Sequence, residues 1–302
     1  MKFMVQFMAV ALSLCGHLSY GVEVEKNIER EDNVVAASET ATVVCPASNL
    51  KSDTYIPGEG WKLAWSDEFE GETLNEANWN RQVVPAGRFN EEWQAYTDSE
   101  DNAWVENGYL VIRALHKGPE HGHDQYTSAR LNTAGKQSWK YGKVAARLQL
   151  PYGEGMWPAF WMLGANCNEN GGNTPWPQCG EIDIMELYGS KDDAVVEANL
   201  HSADAEGAHQ SMGAVSYDLG SGKFADQFHV FEIEWDEQRI SWSVDGKEYA
   251  GTDIDMEADN EFHQPHFILL NLAVGGTHAG RPDATTRFPQ SMYVDWVRVY
   301  QR

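Results

Sequence analysis

Three carboxylates lie within a short, otherwise apolar stretch of the chain. Residues 180–187 read Gly-Glu-Ile-Asp-Ile-Met-Glu-Leu, which places the acids at Glu181, Asp183 and Glu186. Ionised groups are costly to bury, so acids among core-forming residues indicate a cleft in which they face one another. Carboxylates with shifted pKa values in a cleft can serve as acid and base catalysts. The stretch therefore predicts a catalytic strand; the alternative is an edge strand whose acids face water.

A regular strand cannot place all three acids on one face, because side chains alternate between faces. Glu181 and Asp183 share a face, Met185 is the next residue on it, and Glu186 points away. A β-bulge, one extra residue between Asp183 and Glu186, returns Glu186 to the face of the other two. Glu181 and Glu186 could then reach the carboxyl separation of about 5 to 5.5 Å that retaining glycosidases use.

The composition limits the class of ligand. The chain has 302 residues, a formal charge of −24, and 12 Trp, 12 Tyr and 11 Phe. The charge argues against nucleic acid and anionic membranes as partners, although acidic surfaces also serve solubility alone. Aromatic rings stack on the apolar faces of sugars, so we expect the protein to act on a polysaccharide. We expect it to act as a monomer. Trp157 is assigned to the cleft, and Phe160 and Met162 to the core.

The N-terminal residues predict export. Residues 1–21 combine Lys2 with an apolar segment too short to span a membrane, and small residues precede a cleavage site after Gly21. A lipoprotein acylated at Cys15 is the alternative, which the bulky Leu14 disfavours. We therefore expect a secreted protein, extracellular or periplasmic, without membrane insertion. Residues 22–57 read as a linker or disordered arm, and residues 58–302 as the catalytic domain.

Three cysteines remain after such a cleavage. Cys167 and Cys179 bracket a loop rich in Gly, Asn and Pro, and an oxidising compartment would let them form a disulfide. Cys45 would then be left over from that pair, and the sequence alone allows three pairings among the three cysteines. No His or Cys stands nearby at ligand spacing, so a structural zinc site is not expected.

From Trp61 onward the chain alternates short apolar runs with turn residues, and it shows no helical stripe. Asp245-Gly246 between two such runs predicts a hairpin. In the last run, alternation places Val294, Trp296 and Arg298 on one face. Many short strands predict an all-β sandwich with a concave face. Strands are expected over residues 109–114, 142–150, 228–235, 239–244 and 293–300.

Residues 61–302 resemble glycoside hydrolase family 16, and within it the bacterial laminarinase-like endo-β-1,3-glucanases. Residues 181–186 match the E-x-D-x-x-E signature of that family, including the extra residue of its bulged form. The similarity extends along nearly the whole domain. Further matching segments are residues 65–69, 126–133, 141–147, 157–163, 271–276 and 288–300.

The resemblance implies a β jelly roll of the concanavalin A type with an open, concave substrate cleft. Glu181 would be the nucleophile and Glu186 the general acid/base, and Asp183 between them could hold a proton near Glu181. No cofactor is needed for this chemistry. His201 matches a family histidine beside the cleft, where it could donate a hydrogen bond to a carboxylate or a sugar; the alternative is a buried structural imidazole.

The resemblance also implies residues that bind the substrate and a metal ion. A structural calcium ion on the convex face would bind Glu68, the carbonyl of Gly108 and Asp295. Besides His201, the residues expected to contact sugar at matching positions are Asn90, Glu92, Gln94, Arg130, Trp157 and Trp161.

Two segments depart from the laminarinase pattern. Arg88 and Glu91 stand where Trp and Asn are usual, and Thr277-His278 stands where Asn-Trp is frequent. Arg88 and His278 offer hydrogen bonds or positive charge to the substrate in place of stacking, which would suit a modified or sulfated glycan. β-1,3-Glucan is the first expectation. Agar, porphyran or mixed-linkage glucan, transglycosylation, and a non-catalytic glucan-binding lectin are the alternatives.

Overall fold

A computed structural model describes residues 54–118, 122, 125–189 and 193–302. Residues Tyr55–Arg302 form one compact unit, and the predicted catalytic domain begins just inside it, at residue 58. The predicted signal peptide, most of the predicted arm, and Cys45 lie outside the described residues. Within the described ranges, no helix combines the length and the apolar character that crossing a membrane requires.

The described strands form two sheets. The first contains β1 (Lys62–Asp67), β3 (Gln94–Tyr96), β4 (Ala103–Glu106), β5 (Tyr109–His116), β6 (Tyr126–Ser128), β8 (Gly142–Gln149), β14 (His229–Trp235), β15 (Arg239–Val244), β16 (Lys247–Asp253) and β18 (Gln290–Gln301). The second contains β2 (Asn80–Arg81), β7 (Arg130–Asn132), β9 (Met156–Gly164), β10 (Glu181–Leu187), β11 (Val195–Ala203), β12 (His209–Ser211), β13 (Val215–Asp218) and β17 (His266–Val274). Short helical turns lie at Asn168–Asn170, Asn260–His263 and, as α1, Gly276–Ala279.

The central order of the first sheet is β16-β15-β14-β8-β18-β5-β6-β3, and that of the second is β12-β11-β10-β9-β17-β7-β2. Strands that are neighbours in space are mostly distant in sequence, which is the connectivity of a jelly roll rather than of a simple meander. The prediction of an all-β jelly-roll sandwich is confirmed.

The main core lies between the sheets. Alternate residues of β8 in the first sheet and of β17 in the second belong to the same buried cluster. Phe160 and Met162 are fully buried in this cluster, as predicted. The other residues of β17 form smaller buried clusters on the opposite side of the second sheet, so β17 is buried on both faces. We call this opposite side, which carries Trp157, Trp161 and Asn271, the site face.

The hairpin prediction is confirmed, and one face assignment is wrong. Asp245 and Gly246 join β15 to β16 with φ values of 50° and 77°, as a type I′ turn requires. In β18, however, the register against β8 shifts between Val294 and Trp296. Val294 therefore packs in the main core, while Trp296 contacts Arg298 outside it. Simple alternation fails because a bulge interrupts it.

The predicted bulge in β10 is confirmed. Asp183 pairs with Asn199 of β11, but Glu186 pairs with Glu197, so three steps on β10 match two on β11. The register against β9 shifts at the same place. Both Ile184 and Met185 are buried in the main core, which leaves Glu186 free to return to the site face. The bulge thus satisfies two requirements at once: the apolar residues stay inside and the acids stay together.

Trp242 of the first sheet supports the bulge from the core side. Its ring is fully buried, and its Nε1 donates a hydrogen bond of 2.8 Å to the backbone carbonyl of Asp183. A bulge disrupts the regular ladder, and a buried carbonyl without a partner is costly. The indole therefore compensates the irregular backbone at the point where the acidic strand needs it.

Cys167 and Cys179 lie together under a loop beside β10. Both are buried in one small cluster, and both are free thiols. A hydrogen bond with Cys179 lowers the pKa of the Cys167 thiol, and Cys167 in turn raises the pKa of Cys179. The proximity favours the pairing of Cys167 with Cys179 among those that the sequence allows. The disulfide itself stays a prediction.

We predict that Trp242→Phe destabilises the protein more than Trp235→Phe does. Both rings are fully buried in the main core, but Trp235 Nε1 has no hydrogen-bond partner among the described residues. The two substitutions remove similar volumes, and only the first removes a buried hydrogen bond, the one to the Asp183 carbonyl. The free energy of unfolding, measured with denaturant, should fall by about 1 to 3 kcal/mol more for Trp242→Phe. Equal losses in the two variants would contradict this role of the indole.

We also predict that mild oxidation of the full chain links Cys167 to Cys179. Closing a loop of this length stabilises by about 3 kcal/mol in the chain-entropy model, or roughly 6 to 12 °C in Tm for a domain of this size. Peptide mapping should find the linked pair, and differential scanning calorimetry should show the higher Tm only without reductant. Cys167→Ser is the control and should remove the redox dependence. Oxidation that leaves both thiols free, or that links either to Cys45, would contradict the pairing.

Candidate active site

The acids of β10 converge on the site face. Asp183 is almost completely buried, with 2% of its surface exposed, whereas Glu181 and Glu186 are partly exposed. The charges of Asp183 and Glu186 raise the pKa of Glu181, and the charge of Glu186 raises that of Asp183. The strand therefore brings together the three carboxylates that the sequence predicted as catalytic, and it gives them different exposure to solvent.

Glu181 is held by an indole and lies near an imidazole. Trp176 Nε1 donates to its Oε2 at 3.0 Å, and His201 Nε2 lies 3.8 Å from its Oε1. Burial and the neighbouring Asp183 raise the pKa of Glu181 well above its usual range, and the hydrogen bond from Trp176 opposes this rise. Because it favours the charged form, this hydrogen bond helps the carboxylate to ionise in a buried position.

Glu186 receives a hydrogen bond on each oxygen. Trp157 Nε1 donates to Oε1 at 2.8 Å, and the Tyr188 hydroxyl donates to Oε2 at 2.9 Å. Burial raises the pKa of Glu186, and the two hydrogen bonds work against that rise. A carboxyl group with a raised pKa and a fixed orientation suits a residue that must give up a proton and take it back.

Asp183 is the acid most strongly driven to the neutral form. Burial, followed by the charge of Glu186, raises its pKa well above the usual range. Its Oδ2 lies 3.1 Å from His201 Nε2. A proton on Asp183 removes one of three negative charges from the strand, so Glu181 can ionise beside it.

His201, predicted to lie beside the cleft, reaches both Asp183 and Glu181. It stands on β11 directly opposite Glu181 in the strand pairing, and its side chain is partly exposed. It is therefore not a buried structural imidazole, and its ring is placed to affect the charge of the acidic strand.

Trp157 acts through its indole nitrogen. The ring is buried, with 5% exposed, and packs in a small cluster with Tyr188. Its confirmed contact is the hydrogen bond to Glu186. Sugar contact by this ring stays a prediction.

Arg130 and Trp161 form a layered contact on the site face. The Arg130 guanidinium lies 4.7 Å from the ring centres of both Phe89 and Trp161 and forms an ion pair with Glu169. Trp161 Nε1 donates to Asn271 Oδ1 at 2.7 Å. Since Arg130 is buried and covers one side of the Trp161 ring, at most the other side is available to a sugar.

Glu92 and Gln94 belong to a buried network beneath the loop that carries Asn90. Gln94 Nε2 donates to Glu92 at 2.7 Å, and its Oε1 accepts the backbone N–H of Val274 at 2.7 Å. The Tyr96 hydroxyl also donates to Glu92. These contacts fix the loop to the end of β17, and Asn90 itself is exposed. Direct sugar contact by the two buried residues stays a prediction.

The departures from the laminarinase pattern lie on the surface. Arg88 and His278 are both exposed. The His278 ring lies 5.3 Å from that of Trp157 and 5.6 Å from that of Tyr188, the two residues that hold Glu186. His278 is therefore next to the two rings that hold Glu186, in an exposed position that a bound sugar could reach.

The residues predicted to bind calcium carry arginine partners. Both oxygens of Glu68 accept hydrogen bonds from Arg298, at 2.8 and 2.7 Å. Asp295 Oδ2 accepts one from Arg147 at 2.6 Å. A guanidinium on each carboxylate neutralises the charge that a cation needs, so this arrangement does not fit a calcium ion as it stands. Calcium binding stays a prediction of the resemblance alone.

Ligand atoms of Glu181, Asp183 and His201 lie within 4.8 Å of one another and could hold a metal ion. Close acidic groups also occur where no metal binds. Glu181 and Asp183 are two of the acids that the sequence predicts as catalytic, and their part in proton transfer stays a prediction.

Sequence reasoning missed several supporting residues. Tyr188 could have been found, because it follows Glu186 by two positions and so shares its face. Trp176 lies only five positions before Glu181, but its loop conformation is not readable from spacing. His209 and Trp242 reach the acidic strand through tertiary structure, and no local pattern indicates them.

Comparison with known proteins agrees with this geometry. Residues 90–298 match the family model described as Glycosyl hydrolases family 16. The chain is 38% identical over 273 residues to a beta-glucanase of Rhodothermus marinus, an alignment that covers 86% of this chain and 92% of that protein. It is 36% identical over 265 residues to glucan endo-1,3-beta-glucosidase A1 of Niallia circulans, with 80% of this chain covered but only 38% of that longer protein.

A solved structure shows the same fold. The catalytic domain of an endo-1,3-beta-glucanase (laminarinase) from Thermotoga petrophila superposes with a TM-score of 0.70 at 43% identity, covering 80% of this chain and 98% of that domain. The family model spans most of the sandwich, including the bulged acidic strand. The chain therefore belongs to glycoside hydrolase family 16.

Proposed function

We propose that this protein is a secreted, retaining endo-glycosidase that hydrolyses β-1,3-glucan. The observation that carries the proposal is the bulge of β10, which sets Glu181 and Glu186 on one face, each with its own hydrogen-bond donors. Two carboxyl groups in different, fixed environments are what a two-step displacement at a sugar carbon requires.

In the first step, the Glu181 carboxylate attacks the anomeric carbon while Glu186 protonates the oxygen of the departing glucan. Trp176 favours the ionised form of Glu181, and Asp183 supports it by remaining neutral. The raised pKa of Glu186 keeps a proton available for the leaving group. A covalent glycosyl-enzyme results, and the anomeric configuration is inverted once.

In the second step, Glu186 takes a proton from water, and the water oxygen attacks the anomeric carbon of the glycosyl-enzyme. Glu181 leaves as a carboxylate, and the second inversion restores the original configuration. Trp157 and Tyr188 stabilise the charged form of Glu186 during this exchange. No metal ion takes part in either step.

The names of the relatives support the choice of substrate. They include a glucan endo-1,3-beta-glucosidase and laminarinase catalytic domains, and the identity to the latter reaches 43%. Glucan is neutral, which is compatible with a chain of formal charge −24. We also propose that the protein acts as a monomer on its polysaccharide and is exported to the periplasm or the medium.

The proposal is tested with a polysaccharide panel. We expect the purified protein to release oligosaccharides from laminarin faster than from mixed-linkage glucan, agar or porphyran, with retention seen by NMR at early times. Glu181→Gln and Glu186→Gln should each lower kcat by a factor of about 10² to 10⁴, which is the usual contribution of a general acid or base. Glu206→Gln, an exposed acid away from the strand, is the matched control.

Alanine variants at the same two positions assign the two roles. With azide and an activated aryl glycoside, Glu186→Ala should form the β-glycosyl azide, because its nucleophile is intact. Glu181→Ala should instead form the α-glycosyl azide. Full activity in either Gln variant, or exchanged azide products, would refute the assignment, and binding of laminarin without cleavage of any glycan would indicate a lectin.

We predict that Tyr188→Phe shifts the basic limb of the pH profile to higher pH. The hydroxyl donates to Glu186 and favours its charged form, so its removal raises the pKa of Glu186 further. Glu186 must be protonated in the first step, and activity is lost as pH rises through its pKa. The basic limb of kcat/KM should therefore move upward, while the acid limb stays in place. A basic limb that moves downward would contradict the argument.

A further inference from the structure

Two histidines on neighbouring strands connect Asp183 to the surface. His201 lies on β11, and the exposed His209 lies on β12, which pairs with it. His201 Nδ1 is 2.8 Å from His209 Nε2, and the rings stack with centres 5.0 Å apart. The outer ring also contacts Trp176, the donor to Glu181, at 4.8 Å between ring centres.

The orientation of Asn199 determines the tautomer of His201. The backbone N–H of Leu200 can only donate, and it donates to Asn199 Oδ1 at 2.9 Å; the Ser211 hydroxyl lies 2.9 Å from the same oxygen. The amide nitrogen of Asn199 must therefore be the atom 3.1 Å from His201 Nε2. Since an amide nitrogen only donates, His201 Nε2 is an acceptor and carries no proton.

A neutral His201 without a proton on Nε2 carries its proton on Nδ1. That proton points to His209 Nε2, which must accept it. On the inner side, the unprotonated Nε2 lies 3.1 Å from Asp183 Oδ2, a buried oxygen that has no hydrogen-bond partner among the described residues. His201 therefore offers no donor to this oxygen, and a charge on Asp183 would lie buried beside another acceptor, which favours the neutral acid.

We propose that His209 is a positioning residue for catalysis: by accepting the Nδ1 proton of His201 it helps to hold the tautomer whose Nε2 presents no proton to Asp183. Asp183 then remains uncharged beside the nucleophile Glu181. This inference rests on the proposed glycosidase function for its effect on rate, and the tautomer of His201 itself follows from the hydrogen bonds alone.

Loss of the acceptor reverses the arrangement. Without His209, Nδ1–H loses its acceptor and only Asn199 still favours this tautomer, so the His201 proton can move to Nε2, where it lies beside Asp183 and favours the ionised form of that acid. A second negative charge then lies beside Glu181 and raises the pKa of Glu181, so the nucleophile ionises only at higher pH. The acid limb of the activity profile should move upward accordingly.

The charged groups around His209 are few among the described residues. Through His201 it faces Glu181, Asp183 and Glu186. On its outer side, Asp204 accepts hydrogen bonds from Ala208 and Gln210, which flank it in sequence. Burial lowers the pKa of His209, which favours the neutral ring that can accept a proton.

The test compares His209→Phe with His209→Gln in the full chain. Phe keeps a ring against Trp176 but has no acceptor, whereas Gln keeps an acceptor oxygen but has no ring. We expect His209→Phe to move the acid limb of kcat/KM on laminarin upward by about half to one pH unit, with KM changed less than about twofold. His209→Gln should retain the wild-type acid limb. Gln210→Ala, on the same exposed strand, is the control and should match the wild type.

A spectroscopic measurement separates this inference from the proposed function. Histidine ¹⁵N shifts of the substrate-free protein should show His201 with its proton on Nδ1, and His209→Phe should move that proton toward Nε2. A wild-type His201 protonated on Nε2 would overturn the inference even if laminarin is cleaved. A His209→Phe profile identical to the wild type, or a defect in His209→Gln alone, would overturn it as well. Failure to cleave any glycan would refute the function and leave the tautomer result standing.

Discussion

The structure depends on one electrostatic constraint: three carboxylates must share one buried face of a strand. Three negative charges in a low-dielectric environment repel one another and lose their hydration, so they cannot all be ionised there. The protein resolves this by giving each acid a different environment. Glu181 has an indole and an imidazole beside it, Glu186 has an indole and a phenol, and Asp183 is buried where its neutral form is favoured. Differences in surroundings thus assign different roles to groups of the same chemistry.

This solution needs both sheets of the sandwich. The second sheet supplies the strands that carry the acids and most of their partners, while the bulge that aligns them leaves irregular backbone in the core. Trp242 of the first sheet donates to the Asp183 carbonyl at that point. The packing of the two sheets is therefore coupled to the geometry of the site: a shift between sheets would change the backbone of the residue that holds the proton. The irregularity required for function is stabilised by a hydrogen bond from the opposite layer.

Much of this arrangement could be predicted from local sequence. The bulge was predicted because side chains alternate between faces and Glu186 must share a face with Glu181. The Asp245-Gly246 hairpin was predicted from its turn residues. The face of Val294 was predicted wrongly, because nothing in its neighbourhood indicates the bulge before Trp296. His209 was missed for a related reason. Its importance arises from a strand pairing and from the orientation of the Asn199 amide, and neither is encoded in a short pattern.

Two of the aromatic rings near the acids are largely covered by the protein itself. Trp157 is buried and donates to Glu186, and Trp161 is covered on one side by Arg130. Trp176, which donates to Glu181, is exposed and leaves ring surface for a sugar. We therefore expect substrate choice to depend on exposed residues such as Trp176, Arg88 and His278. These residues lie in segments between the strands, which tolerate change better than the paired strands beneath them, so changes there would alter what binds without disturbing the proton arrangement that the buried strands maintain.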